Sequence, residues 1–75
     1  MNITGFVICL NNEDYSASLE LHKIYAVQEA LSNDPTGYLR IVDESGEDYL
    51  YPEEWFESVH LGNSLEARIM QSVSA

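Results

Sequence analysis

Residues 38–56 read Y-L-R-I-V-D-E-S-G-E-D-Y-L-Y-P-E-E-W-F, and this stretch decides the fold. Leu39 and Ile41 alternate with Tyr38, Arg40 and Val42, the period-two pattern of a strand with one buried face. The polar run from Asp43 to Asp48 centres on Ser45 and Gly46, and glycine accepts the positive φ that a tight hairpin turn demands. Two registers are open. A two-residue loop sets Ile41 opposite Leu50, whereas a bulge at Gly46 sets it opposite Tyr49 and turns Tyr51 inward. The bulged register is the expected one, because it gives Tyr49 and Tyr51 the buried face. Pro52 cannot donate to a ladder, so it ends the second strand and opens a helical turn. Glu53 and Glu54 suit the positive end of that turn. Trp55 and Phe56 are adjacent and face different ways, one filling the core and the other lying on the surface or in a groove.

The same stretch resembles the central part of a Src-homology-3 barrel, whose pattern is two aromatics, a strand, a Gly-containing turn and then Ile-Pro-x-Asn-Tyr-Val. The spacing from first aromatic to proline fits without a gap. More closely, the chain is similar to small acidic bacterial proteins of this barrel type, which carry a string similar to its D-E-S-G-E-D-Y-L-Y-P. The resemblance covers residues 6 to about 61 and is specific for fold, not for activity. It implies that Tyr38 takes the position of the groove tryptophan, Pro52 that of the groove proline and Trp55 that of the groove tyrosine. Phe56 takes the core valine position. It also implies that Glu13 and Asp14, in a long acidic loop, attract basic peptides, with Tyr15 as a groove aromatic. The chain departs from the family in two places. I-C-L-N-N stands where A-L-Y-D-Y is usual, and the Lys-Lys-Gly segment is shortened to His22-Lys23.

Outward from the hairpin, the apolar run F-V-I-C-L at residues 6–10 predicts a strand buried on both faces or nearly so, with Cys9 a small core residue. Residues 11–18, N-N-E-D-Y-S-A-S, form a polar loop. A strand is expected over residues 23–30, with Ile24 and Ala26 on one face and Tyr25 and Val27 on the other. The rival is a helix over residues 19–31, on whose spacing Leu21, Ile24, Gln28 and Leu31 share a side. The β-branched residues favour the strand. L-S-N-D-P-T-G at residues 31–37 is a loop by its turn chemistry. The last strand is expected at residues 58–61, with Val59 and Leu61 inward and His60 outward. Gly62 ends it, and Asn63 or Ser64 can cap a short helix over residues 65–73, where Leu65, Ile69 and Val73 repeat every four residues. The expectation is therefore a mainly all-β chain: a five-stranded Src-homology-3-like barrel over residues 1–61, with a helical or partly disordered tail over residues 62–75.

Seventy-five residues supply one domain and one core. Thirteen acidic residues face only Lys23, Arg40 and Arg68, a net charge of -10. Such a surface repels phosphate backbones and anionic membranes, and it admits basic proteins or divalent cations as partners. A single cysteine excludes an internal disulfide framework and a cysteine-rich zinc site. The sequence shows no secretory h-region, no apolar run of spanning length and no lipidation signal, so cytoplasm is the expected compartment. Asp43, Glu44, Glu47 and Asp48 supply hard oxygen ligands around a turn, yet their spacing does not match a calcium loop, and a solvated hairpin tip is the better reading. His22, His60 and Cys9 fall on separate elements without a nucleophile, phosphate-loop or zinc motif. No catalytic residue, cofactor or metal is expected.

The site expected from sequence is an aromatic groove of Tyr15, Tyr38, Pro52 and Trp55 with Glu13 and Asp14 beside it. It suits a protein or peptide of basic, proline-containing or aromatic character. The chain itself is expected to be a monomer or weak homodimer. The second expectation is an acidic decoy occupying the cationic site of a nucleic-acid-binding protein. Because self-repulsion at -10 weakens the folded state, added salt should raise the melting temperature. Thermal melts from low to moderate sodium chloride check this, and a salt-independent midpoint would refute it.

Overall fold

The turn at residues 43–47 sets the register of the sheet. Gly46 donates its N–H to the Asp43 carbonyl at 3.0 Å, and Asp43 donates to the Glu47 carbonyl at 3.1 Å. Gly46 sits at φ 82°, in the left-handed region that favours glycine. This is a hairpin with a glycine bulge, and it pairs Ile41 with Tyr49 and Leu39 with Tyr51, as the sequence predicts.

In the computed structural model, which describes residues 2–62 together with Leu65, Arg68 and Ile69, five antiparallel strands form one sheet. They are β1 (Ile3–Cys9), β2 (Ile24–Gln28), β3 (Tyr38–Val42), β4 (Asp48–Pro52) and β5 (Phe56–Val59), with a 3-10 turn at Glu53–Trp55. The spatial order is β4-β3-β2-β1-β5. The fold is all-β. Residues 19–31 take the strand reading and not the helical one, because Tyr25 and Val27 pair with Val7 and Ile41 on the core face.

That face carries Val7 and Cys9 of β1, Tyr25 of β2, Ile41 of β3, Tyr51 of β4 and Phe56 of β5. Leu19, from the loop between β1 and β2, closes over them. Leu19, Ile41 and Cys9 are wholly buried. Burial also raises the Cys9 thiol pKa, with a contact to the Asn11 carbonyl partly offsetting the shift. The opposite face carries Phe6, Ala26 and Val42, which pair across β1, β2 and β3. Phe6 and Ala26 are buried there too, in a depression that Ile69 helps to line.

Several boundaries differ from the sequence expectation. β1 begins at Ile3, three residues before the apolar run, because Ile3 pairs with Gln28 across an irregularity before Gly5. β2 is shorter, Ile24–Gln28. β5 spans Phe56–Val59 and not residues 58–61, because Phe56 pairs with Cys9 and starts the strand on the core side. Val59 consequently shares the Phe6 face and not the core, and Leu61 lies beyond the strand, half-buried. Tyr49 has the predicted register yet is 52% exposed, since β4 is an edge strand and no element among the described residues covers that ring. Leu65, Arg68 and Ile69 are helical, while the rest of the helix expected over residues 65–73 lies outside the described residues.

The loop between β2 and β3 is tied down by one cation. Arg40 meets Asp34 through Nε (2.9 Å) and Nη2 (2.6 Å), and Asp48 through Nη1 (2.6 Å). Asp34 also accepts the Leu31 N–H at 2.9 Å. The Arg40 guanidinium, with that N–H, holds the Asp34 carboxyl down at about 2.

Leu19 is the loop residue on which the core closes. Leu19→Ala should cost about 2–5 kcal/mol in urea unfolding, whereas Leu21→Ala, on an exposed side chain of the same loop, should fall within about 0.5 kcal/mol of the parent. Equal effects would refute the anchoring role.

Candidate functional site

The loop between β1 and β2 presents Tyr15 in a fixed place. Tyr15 donates its N–H to the Asn12 carbonyl at 2.8 Å, and its own carbonyl accepts from Ser18 (2.9 Å) and Leu19 (2.9 Å). Asp14 adopts φ 66° at the first of these turns. The Asn12 side chain donates to the Leu19 carbonyl at 2.9 Å, tying the turn to its buried anchor. The Tyr15 ring stands edge-on to Tyr51, with centroids 5.3 Å apart and an 88° interplanar angle. It also lies 5.8 Å from Trp55 at 59°. Tyr51 stacks near Trp55 at 6.3 Å and meets the core ring Phe56 at 6.4 Å. A continuous set of rings thus runs from exposed Tyr15 into the core, in spacings that aromatic pairs favour.

Trp55 reaches this set because Pro52 ends β4 and the 3-10 turn carries the chain back over it. The Trp55 carbonyl accepts the Leu10 N–H at 2.7 Å. Of the adjacent pair, Phe56 fills the core and Trp55 packs against its rim, the division the sequence predicts.

Tyr38 belongs to a second group. It pairs directly with Pro52, and the two line a depression with Gly37, Glu53 and Glu54. Tyr38 is half-exposed. Among the described residues no ring contact joins Tyr38 to Trp55 or Tyr15, so the expected groove is two adjoining patches that meet where β4 passes into the 3-10 turn. Glu13 and Asp14 are exposed and adjacent to Tyr15 in sequence, but they line neither patch. Glu13 donates its N–H to the Asn11 side chain at 2.9 Å. The carboxylates beside the aromatics are Glu53 and Glu54, which the sequence reading assigned only to the helical turn. Their position directly after Pro52 was the available signal.

The hairpin tip is structured and not simply solvated. Asp43 is buried. Its Oδ2 accepts the Tyr51 hydroxyl at 2.6 Å, and its Oδ1 accepts the Ser45 N–H (2.9 Å) and hydroxyl. Burial pushes the Asp43 pKa up, but the Ser45 and Tyr51 hydrogen bonds together outweigh it and leave a net lowering. Tyr51 is pushed up to about 12, by burial first and then by Asp43. Glu44 accepts Lys23 Nζ and the Tyr25 hydroxyl, each at 2.6 Å, and its pKa falls, Lys23 being the larger cause. Burial and Glu44 raise Tyr25. The Glu44 N–H meets the Ser18 carbonyl at 2.9 Å, and the Glu20 N–H meets the Tyr25 hydroxyl at 2.7 Å. The tip therefore holds the loop that carries Tyr15. Asp48 pairs with Arg40, and only Glu47 of the four acids is left pointing to solvent. Among the described residues no three His, Cys, Asp or Glu side chains gather as a metal set.

Cys9 is buried, while His22 and His60 are exposed on separate elements. Among the described residues no helix is long and apolar enough to cross a membrane. Compared with known proteins, the chain matches no protein-family model, no curated protein and no solved structure.

Tyr51→Phe leaves the buried Asp43 carboxylate one donor short and should cost about 1–3 kcal/mol. It should also alter the alkaline limb. A phenol raised from 10.0 to about 12 in the folded state adds stability that is complete below pH 10 and lost as pH climbs toward 12. Denaturant midpoints across that range should fall more steeply for the parent than for Tyr51→Phe, and parallel curves would refute the coupling.

Proposed function

We propose that this chain is a small, non-enzymatic interaction module that engages a basic, proline- or aromatic-containing protein segment, acting in the cytoplasm as a monomer or weak homodimer. We take its sheet to be a Src-homology-3-like barrel. The strand order supports that reading, since β5 returns to pair with β1 and leaves the β3–β4 hairpin at the far side. The single observation that carries the functional reading is the ring arrangement at the end of β4. Tyr15 and Tyr38 stay about half-exposed, although Tyr15 is braced by buried Tyr51 and partly buried Trp55. Rings held rigid while presented to solvent bind at low conformational cost.

The chemistry of the rim defines the partner. Glu53 and Glu54 flank Tyr38 and Pro52, so a lysine or arginine gains ion pairing there while a proline or aliphatic residue lies on the rings. Glu13 and Asp14 act at longer range, through the field of a chain at -10. The competing reading, an acidic decoy for the cationic site of a nucleic-acid-binding protein, draws on that same field. It is favoured by the engagement of Lys23 and Arg40 with carboxylates of this chain, which leaves most acids among the described residues without an ion pair.

A short labelled arginine- and proline-rich peptide separates the two. Trp55→Ala and Tyr38→Ala should each weaken its binding by about tenfold or more, within the range of interface anchors. Glu29→Lys, away from the rings, should leave it within about twofold at moderate salt, as rim charges do. Binding that ignores both rings and simply tracks net charge and salt would overturn the groove and favour the decoy.

A further inference from the structure

β4 is an edge strand, and among the described residues no backbone group pairs with the outward side of its Asp48 or Leu50. The bonds at both ends of the hairpin fix which groups point out. Asp43 donates to the Glu47 carbonyl, and Glu53 donates to the Gly37 carbonyl. Stepping by two residues between these anchors, the pairs Ile41–Tyr49 and Leu39–Tyr51 are the hydrogen-bonded ones. Tyr49 and Tyr51 therefore direct their N–H and C=O toward β3. Asp48 and Leu50 direct theirs to the free edge, whereas Pro52 has no donor and, as the N-cap of the 3-10 turn, commits its carbonyl to that turn.

Beside this edge lies a notch of about 280 Å³, lined by Tyr15, Ser18, Ser45, Tyr49, Leu50 and Tyr51. Three consecutive β4 residues line it together with Tyr15 and Ser18 of the loop that packs on core-face Tyr51, which places it where that loop meets the edge strand. Three tyrosines contribute to the lining, and beneath Tyr51 its hydroxyl is bonded to the Asp43 carboxylate. Rings over a fixed negative charge favour a cation. Glu47 precedes the edge, Asp48 lies in it, and Glu53 and Glu54 follow it, while nearby Arg40 is held by Asp34 and Asp48. A second copy of this chain would bring the same anionic edge and be repelled.

We infer that the free edge of β4 takes an extended basic segment of a partner protein as an added strand, with a lysine or arginine head of that segment seated in the notch among Tyr15, Tyr49 and Tyr51. This rests on the reading that the partner is basic, and it adds how the partner is held. The added strand bonds the outward N–H and C=O of Leu50, which are otherwise left to water.

The probe is an alternating lysine–valine peptide, with the same peptide N-methylated at alternate residues as an equal-charge control. The parent should bind the first at least about threefold more tightly than the second. Tyr49→Ala, at a largely exposed ring, should weaken binding by about threefold or more, the scale of a cation–π contact. Leu50→Pro removes an outward N–H that edge strands can spare and should weaken binding similarly. Amide exchange of Leu50 should slow on adding peptide, with inward-bonded Tyr49 as the internal reference. Should Leu50→Pro not fold, Tyr49→Ala and the methylated control still decide. Equal binding of both peptides, indifference to Tyr49→Ala, an unprotected Leu50 amide or no binding of either peptide would each overturn edge addition. The groove reading stands or falls separately, on Trp55→Ala and Tyr38→Ala with the arginine- and proline-rich peptide.

Discussion

A carboxylate placed under a protein surface is costly unless every lone pair facing inward finds a donor. Asp43 meets that condition through Tyr51 on one oxygen and Ser45 on the other, and the rest of the structure depends on how it does so. Ser45 can reach it only if the chain turns with a bulge at Gly46. Tyr51 can reach it only if β4 is set so that Leu39 and Tyr51 are opposite. The turn, the register and the buried acid therefore require one another. A slip by one residue would expose Tyr51, bury Leu50 and leave Asp43 without its phenol, three losses at once.

The neighbouring Glu44 extends the constraint to the other side of the molecule. Through its backbone it holds Ser18, and through its side chain it holds Tyr25, whose hydroxyl in turn accepts from Glu20. The long loop is thereby clamped at residues 18 and 20, on either side of buried Leu19. Local turns alone would leave Tyr15 free to swing. With Leu19 sunk in the core, the Tyr15 ring is delivered against Tyr51 and Trp55. A strongly acidic chain thus uses several of its acids in building the fold. Asp34, Asp43, Glu44 and Asp48 all act in this way, two of them through Arg40.

The hairpin was legible because it is local: alternation, a Ser-Gly turn and a proline stop are written within residues 38–52. The same locality allowed the right register to be chosen between two. What escaped was set by distant partners. β5 starts at Phe56 because Cys9, almost fifty residues away, is its neighbour, and no short-range pattern says so. Tyr49 has an inward register but an uncovered ring, since edge position is a property of the whole sheet. Within the site, Tyr15, Pro52, Tyr38 and Trp55 were legible as residue types, yet their division into two patches was not. Tyr38 alternates away from the core while Trp55 is carried back to it by the turn. Glu13 and Asp14 were read as the acidic rim from their place beside Tyr15, but the turn that fixes Tyr15 leaves them off both patches.

An open strand edge is ordinarily a hazard, because it pairs with any other edge that meets it. Proteins blunt such edges with charge, a proline or short length, and β4 has all three: five residues, Pro52 at one end and acids on both sides. What distinguishes this edge is the sign and uniformity of the charge. Mixed charges would repel nothing in particular, whereas an anionic edge on a chain at -10 discriminates by partner. Another copy of the same chain, or any acidic strand, approaches against the field, and a basic strand approaches along it. The repulsion that protects the edge from self-pairing is therefore the same property by which the proposed basic strand would be selected. The tyrosine-lined notch gives that selection a short-range component, since salt screens the field at a distance but a cation seated between rings is screened much less.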